Sequence, residues 1–252
     1  MSKSPLVTIY ITNFNYSKYI QTSIRSAINQ SYKNLEIIIV DDCSTDSSIK
    51  KISNFKNFEN IKIIFNSRRI GLIKSANKAI KKSKGKYLIR LDGDDILKKD
   101  AVKILVKKIK SRKLLSMVFP NFHFFFESQK KVKLFRYKNK KNYDLSDSPA
   151  HGACSLINKS IFKRLGGYSE LFDRQDGFYL WILFLLNNLK IAHLNKSLFY
   201  YRIHGKNLSK NSHKILKERK KIISYFIKKN KSENKQLLSV QKKTECAIKN
   251  LK

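Results

Sequence analysis

Proline and glycine are scarce, three and eight in 252 residues, which excludes collagen-like and low-complexity chains. The three cysteines, Cys43, Cys154 and Cys246, are odd in number and lack metal-type spacing. Neither a disulfide framework nor a thiolate metal site is expected, and a reducing cytoplasmic compartment is the simplest setting. The longest apolar run, residues 178–186, is about half of the ~18 residues that a spanning helix needs, so none is expected. Residues 1–6 lead directly into a strand-like run, without a signal-peptide pattern. No Gly-x-Gly-x-x-Gly run and no Walker-type loop occurs, which counts against a dinucleotide site or a P-loop. Acidic side chains are also few, 18 against 54 basic ones, for a net charge of +36.

Despite that charge the chain is 42% hydrophobic and 12% aromatic, so it can bury a real core and is not disordered. A basic surface invites nucleic acid, but 44 of the 54 cations are Lys and only 10 are Arg. Base and phosphate readers lean on the planar Arg fork, which argues against nucleic acid. Lys, Ile and Asn rise together, as in AT-rich coding sequence. Residues 206–252 are the exception to an even spread, with 15 basic and 3 acidic residues, or 12 of the 36 net charges. That stretch reads as a solvated surface first and an anionic-membrane contact second.

Residues 6–11, 37–40, 61–65 and 87–91 read as strands, and apolar residues recur at helical spacing between them: Ile20, Ile24, Ala27 and Ile28, then Leu72, Ala76, Ala79 and Ile80. Ser44 to Ser48 offer caps for a short helix between the second and third strands. This alternation predicts an α/β fold with a mostly parallel sheet. After a helix marked by Val102, Leu105, Val106 and Ile109, residues 115–120, 122–127 and 131–135 read as short antiparallel strands and 137–149 as a loop. Helices are expected at 159–165 and 177–188, short extended pieces at 191–194 and 199–204, and one lysine-rich helix carrying Ile215, Ile222, Ile223 and Phe226.

The few carboxylates are clustered. Asp41 and Asp42 follow one strand; Asp92, Asp94 and Asp95 follow another. In a parallel sheet both groups sit at the carboxyl edge, where ligands bind. Carboxylates this close repel unless a cation intervenes, and hard oxygen donors suit Mg²⁺ or Mn²⁺. A solvated turn accounts for Asp-Gly-Asp-Asp equally well.

Four blocks in order carry a resemblance. They are residues 5–46, with Thr12-Asn-Phe-Asn15 and Val40-Asp-Asp-Cys-Ser-Thr-Asp46; residues 85–95, ending Arg90-Leu-Asp-Gly-Asp-Asp95; Leu165-Gly-Gly-Tyr-Ser-Glu170 with Arg174-Gln-Asp176; and Tyr201-Arg-Ile-His-Gly-Lys-Asn-Leu-Ser209. Together they resemble family 2 glycosyltransferases of the GT-A fold. The resemblance implies a nucleotide-binding half over about 1–98 and an acceptor half over about 99–210; beyond it the lysine-rich helical stripe reads as a basic helical tail at 211–252. It implies inverting transfer of a sugar from a nucleotide-sugar donor, often UDP-linked, to an acceptor hydroxyl of a surface polysaccharide or lipid-linked glycan, with Mn²⁺ or Mg²⁺.

By the same resemblance Thr12 and Phe14 contact the nucleoside, Asp42 the base, and Arg69 a phosphate, although Arg69 beside Arg68 also suits plain surface. Asp94 is the metal ligand, Asp92 touches the donor sugar or ribose, and Asp95 completes the motif. Asp176 is the general base, at a position where a helix cap is the simpler alternative. Gln175 stands where the family commonly has Glu, so the role rests on Asp176 alone. His151 lies near the sugar. His204 approaches the diphosphate or metal and Arg202 supports its loop, while packing suits a His there equally well. The competing reading is a non-catalytic basic module on a degenerate version of the fold, binding membrane or nucleic acid through its tail.

Overall fold

The computed structural model describes residues 4–112, 114–205, 207, 211–230 and 234–250. Four parallel strands, β1 (Val7–Asn13), β2 (Leu35–Asp41), β3 (Ile61–Phe65) and β4 (Tyr87–Asp92), lie in the order β3-β2-β1-β4. Every residue of β1 is buried, as is every residue of β2 except Glu36, because crossover helices cover both faces of a parallel sheet. Each of Ile37 to Val40 removes a whole side chain from water, roughly 1.5–3 kcal/mol apiece. The crossovers are α1 (Ile20–Ile28), α2 (Ser48–Ser53) and α3 (Leu72–Lys82), whose Ile73, Ala76, Ala79 and Ile80 face the sheet. The register pairs Thr12 with both Val40 and Asp92, and Asn13 with Asp41. The carboxyl ends of three strands therefore finish in one row.

The second half extends the sheet to nine strands. In chain order come β5 (Ile96–Leu97), α4 (Ala101–Lys110), β6 (Leu115–Phe126), a 3-10 turn (Glu127–Gln129), β7 (Lys131–Phe135), β8 (Leu156–Asn158), α5 (Lys159–Arg164), α6 (Asp176–Leu186) and β9 (Lys190–Ile203). The expected pairs of short strands are each one long strand, β6 and β9, and these two run parallel. The breaks that the sequence suggested survive as register shifts on either side of Asn121, next to Pro120, which has no backbone N–H to give to a ladder. Antiparallel pairing holds for β7 and β8 against β6. α6 is apolar on all sides and buries residues 178–184, with Trp181 edge-on to Phe119 at 5.8 Å, so its stripe is core.

Two helices follow, α7 (Ser212–Asn230) and α8 (Lys235–Lys249). Ile222, Ile223 and Phe226 of α7 and Leu237 of α8 join the same apolar cluster as the sheet. Tyr225 and Phe226 pack edge-on and tilted against Phe172 and Tyr179. Among the described residues no helix is long and apolar enough to cross a membrane. Of the fourth sequence block, Lys206, Leu208 and Ser209 lie outside the described residues.

Candidate active site

A cavity of about 590 Å³ opens at the carboxyl edge of the sheet, and Thr12, Phe14, Asp42, Arg69, Asp92, Asp94, His151 and Asp176 all line it. At one end Thr12 closes β1 and Phe14 follows it. The Arg69 guanidinium lies 4.0 Å from the Phe14 ring centroid, a cation–π contact that holds an otherwise exposed side chain over the opening. Asp42 accepts from the backbone N–H of Ile70 and Gly71, both at 2.8 Å, and from Asn66 Nδ2 at 3.0 Å. Its carboxylate therefore fixes the 66–71 loop while facing the cavity. Asp41 accepts from Asn13 Nδ2, Ser44 N and Ser44 Oγ, and so supports the turn that follows β2.

The acidic motif forms the middle of the floor. A Cβ on Gly93 would meet Asn13 Oδ1 at 3.0 Å and the Thr12 carbonyl at 3.2 Å, so a side chain in the turn after β4 would have to push both aside. Burial, with Asp92 close by, pushes the Asp94 carboxyl above its ordinary range, and the His204 hydrogen bond (Nε2 to Oδ2, 2.9 Å) only partly opposes this. His204 is itself held between the rings of Tyr19 and Tyr16, at 4.8 and 5.7 Å. Asp95 is fully buried, accepts from Arg202 N, and has an Oδ2 without a partner among the described residues. Burial, then the charges of Asp94 and Asp92, raise it well above the usual carboxylate range. Two buried carboxyls, Asp94 and Asp95, crowded beside the half-buried Asp92, fit a hard divalent cation. Among the described residues no group of three His, Cys, Asp or Glu is placed to hold a metal ion.

The far wall carries Asp176, the first residue of α6, after Gln175 in a left-handed turn (φ 63°). Arg90, on β4, donates to it from Nη1 and grips Asp92 with Nε and Nη2 at 2.6 and 3.0 Å. One buried guanidinium thus ties the candidate base to the first carboxylate of the acidic motif. Burial opposes its charge, but Asp176 and Asp92 outweigh that and raise it well above the ordinary value. Gly152 gives this group room, since a Cβ there would stand 3.1 Å from Arg90 Nη1 and 3.4 Å from Asp176 Oδ2. Burial pushes the neighbouring His151 imidazole down to about 4.

Three expected contacts are placed differently. His204 does not line the cavity, and neither do Asp95 and Arg202. Arg202 sits behind it, with Nε donating to the Asp94 carbonyl at 2.8 Å and its guanidinium over the rings of Tyr19 and Phe125 at 4.8 and 5.0 Å. Both hold the motif from beneath. His204 reaches the site through Asp94. His123 and His193 pack away from the cavity, against Tyr200 and Phe119 respectively. The sequence reading missed Arg90, whose signal was a lone charge inside an apolar strand. It also missed Arg219 of α7, which lines the cavity, and Glu218, which accepts from Asp173 N at 3.1 Å.

The model of the family described as Glycosyl transferase family 2 matches residues 8–166. The chain belongs to that family, and its sheet has the GT-A architecture. It is 30% identical over 84% of its length to 82% of an Escherichia coli protein named UDP-Glc:alpha-D-GlcNAc-diphosphoundecaprenol beta-1,3-glucosyltransferase WfaP. It also superimposes on TarS of S. aureus in complex with UDP-GlcNAc, with a TM-score of 0.73 at 19% identity over 88% of this chain and 66% of that one. The corresponding values for the mannosyltransferase PcManGT from Pyrobaculum calidifontis in complex with GDP-Man and Mn2+ are 0.70, 14%, 90% and 65%. Over 107 residues, 42% of its length, the chain is 39% identical to an uncharacterized Haemophilus influenzae glycosyltransferase and spans 33% of that protein's length.

Proposed function

We propose that the chain moves a sugar, with inversion, from a nucleotide-diphosphate sugar, UDP-linked in the simplest case, to an acceptor hydroxyl in the synthesis of a surface polysaccharide or lipid-linked glycan. The observation that carries this is that Thr12, Phe14, Asp42, Arg69, Asp92, Asp94 and Asp176 line one cavity, with Asp176 tied to Asp92 through Arg90. The names of WfaP and TarS with UDP-GlcNAc support a nucleotide-sugar donor. A wholly basic, non-catalytic module has no use for a floor of desolvated carboxyls.

In this reading the nucleobase lies at Phe14 and Asp42, with Arg69 at the phosphates and Asp92 toward the sugar. Asp94, with His204 behind it, would hold Mn²⁺ or Mg²⁺, which supplies charge stabilisation for the departing diphosphate. The acceptor oxygen attacks the anomeric carbon from the Asp176 side. The bond to the diphosphate breaks with its electron pair, and the hydroxyl proton passes to Asp176 Oδ. Arg90 keeps that carboxylate in place, so its geometry is set before substrate arrives. A panel of nucleotide sugars with Mn²⁺ or Mg²⁺, read by nucleoside diphosphate release and thermal stabilisation, tests the reading; no release and no stabilisation from any donor would sink it.

The lysines on the outer sides of α7 and α8, among them Lys214, Lys221, Lys228, Lys235 and Lys242, are exposed. Glu218 is buried, and Glu245 is paired with Lys220. We propose that this face rests on an anionic membrane from the cytoplasmic side, where each Lys near the surface contributes about 1 kcal/mol. Equal sedimentation with neutral and anionic vesicles would remove this attachment.

A further inference from the structure

Two cations line the cavity beside Asp176 without a counter-charge. Arg219 of α7 is half-buried; its Nε donates to Gln175 Oε1 at 2.8 Å, and its guanidinium lies 4.9 Å from the Phe178 ring centroid. Arg174, also half-buried, has no hydrogen bond or ion pair among the described residues. The acids nearby do not discharge either one. Glu218 accepts from Asp173 N and pairs with Lys221 at 3.3 Å, Glu170 accepts from Asn77, and Asp173 is exposed. Burial lowers the affinity of Arg219 for its proton, and no carboxylate offsets that.

Placing a cation out of water without a partner is costly, and a neutral amide such as Gln175 aims the fork without neutralising it. Gln175 and Phe178 stand one residue before and two after Asp176, so an anion on this fork lies next to the candidate base. In the reading above the donor's own phosphates already have other partners, Arg69 and the cation that Asp94 would hold. We infer that Arg219 and Arg174 form an anion subsite for the phosphate or diphosphate of the acceptor, a substrate class that rests on the transferase reading above. α7 would then belong to the acceptor site as much as to the basic surface.

The test uses the full chain, saturated with Mn²⁺ and whichever nucleoside diphosphate it binds, and titrated with geranyl diphosphate, geranyl phosphate, geranic acid and geraniol. The phosphates should bind, geranic acid and geraniol poorly. Arg219→Gln and Arg174→Gln should each weaken phosphate binding about 10-fold or more, the scale of a lost charge-assisted hydrogen bond. Nucleotide affinity should not change, and Arg219→Lys should retain much of the phosphate binding. Arg174 has no bond to lose, so its variant keeps the test sound if Arg219→Gln disturbs the turn. Equal binding of geraniol, equal binding of geranic acid, or variants that weaken nucleotide instead would overturn the subsite. Arginine-dependent phosphate binding in a protein that binds no nucleoside diphosphate would sink the transferase reading alone.

Discussion

The two walls of the cavity are built from different material. One is the edge of a parallel sheet, where the ladder sets Thr12 level with Asp92, and Asn13 level with Asp41. Position there follows from strand register, which buried apolar faces enforce over the whole strand. The other wall is residues 149–152, the 170–178 turn and one helix from the end of the chain. Beyond the packing of Phe172 and Phe178 in the core, its functional side chains are set by a few polar contacts between distant segments: Arg90 with Asp176, Glu218 with Asp173 N, and Arg219 with Gln175. The sheet wall is therefore held by many small terms and the loop wall by a few large ones.

The largest effect should come from the loop wall. Asp176→Asn is nearly isosteric, and Arg90 still has Asp92 to grip. Loss of a general base costs about 10²–10⁴-fold in rate, or roughly 3–5 kcal/mol of barrier. Transfer should fall by that factor while donor binding persists, since Gln175 cannot accept a proton. Transfer within a few-fold of wild type would move the base elsewhere, with Glu170 and Asp173 the next candidates.

Arg90 joins the walls, and its removal should damage both. Arg90→Met leaves the buried Asp176 and the half-buried Asp92 without their shared cation, a change of the kind that destabilises by about 3–5 kcal/mol. Urea unfolding should report that loss, and Arg90→Lys should recover part of the stability but not the two-point grip on Asp92. If Arg90→Met cost under about 1 kcal/mol, the few-large-terms description of the loop wall would be wrong. In the floor, Asp94→Asn should abolish metal-dependent stabilisation by nucleoside diphosphate. That term is roughly 2.7 kcal/mol at 100 times the dissociation constant, and a preserved melting shift would remove Asp94 from the metal.

The same contrast explains what was legible in the sequence. Ile37 to Val40 running into Asp41-Asp42, and Tyr87 to Leu91 running into the acidic motif, disclose strand and site together, because strand direction alone places the carboxylates. Asp176 was reachable only through the resemblance; nothing local distinguishes it from a helix cap. Arg90 announces itself only once its strand is known to be buried, and Arg219 is one cation among many on a lysine-rich helix. The continuity of β6 and β9 was hidden by Pro120 and by the polar Asn195-Lys-Ser197 stretch, which the sheet absorbs as register shifts.

The smallest effect, and the finest probe of how dry the loop wall is, comes from His151. Burial holds its imidazole near 4, against an ordinary value of 6.5. Between those values the unfolded chain binds a proton that the folded chain refuses, so stability rises with pH through this window and is lost as pH falls below about 6.5. At pH 5 the loss from this group is about 2 kcal/mol relative to pH 7. His151→Asn keeps an acceptor where Nδ1 takes the Ala153 N–H, at 3.1 Å in the native protein, but it cannot titrate. It should begin less stable, because the ring also packs on Phe122, Phe199 and Tyr201. Its decline between pH 7 and pH 5, measured by urea unfolding, should nevertheless be shallower than wild type by that amount. The other acids of the site titrate in both proteins and cancel in the difference. Parallel pH profiles would mean that water reaches His151, and that the wall around Asp176 is as open as the end that faces the nucleotide.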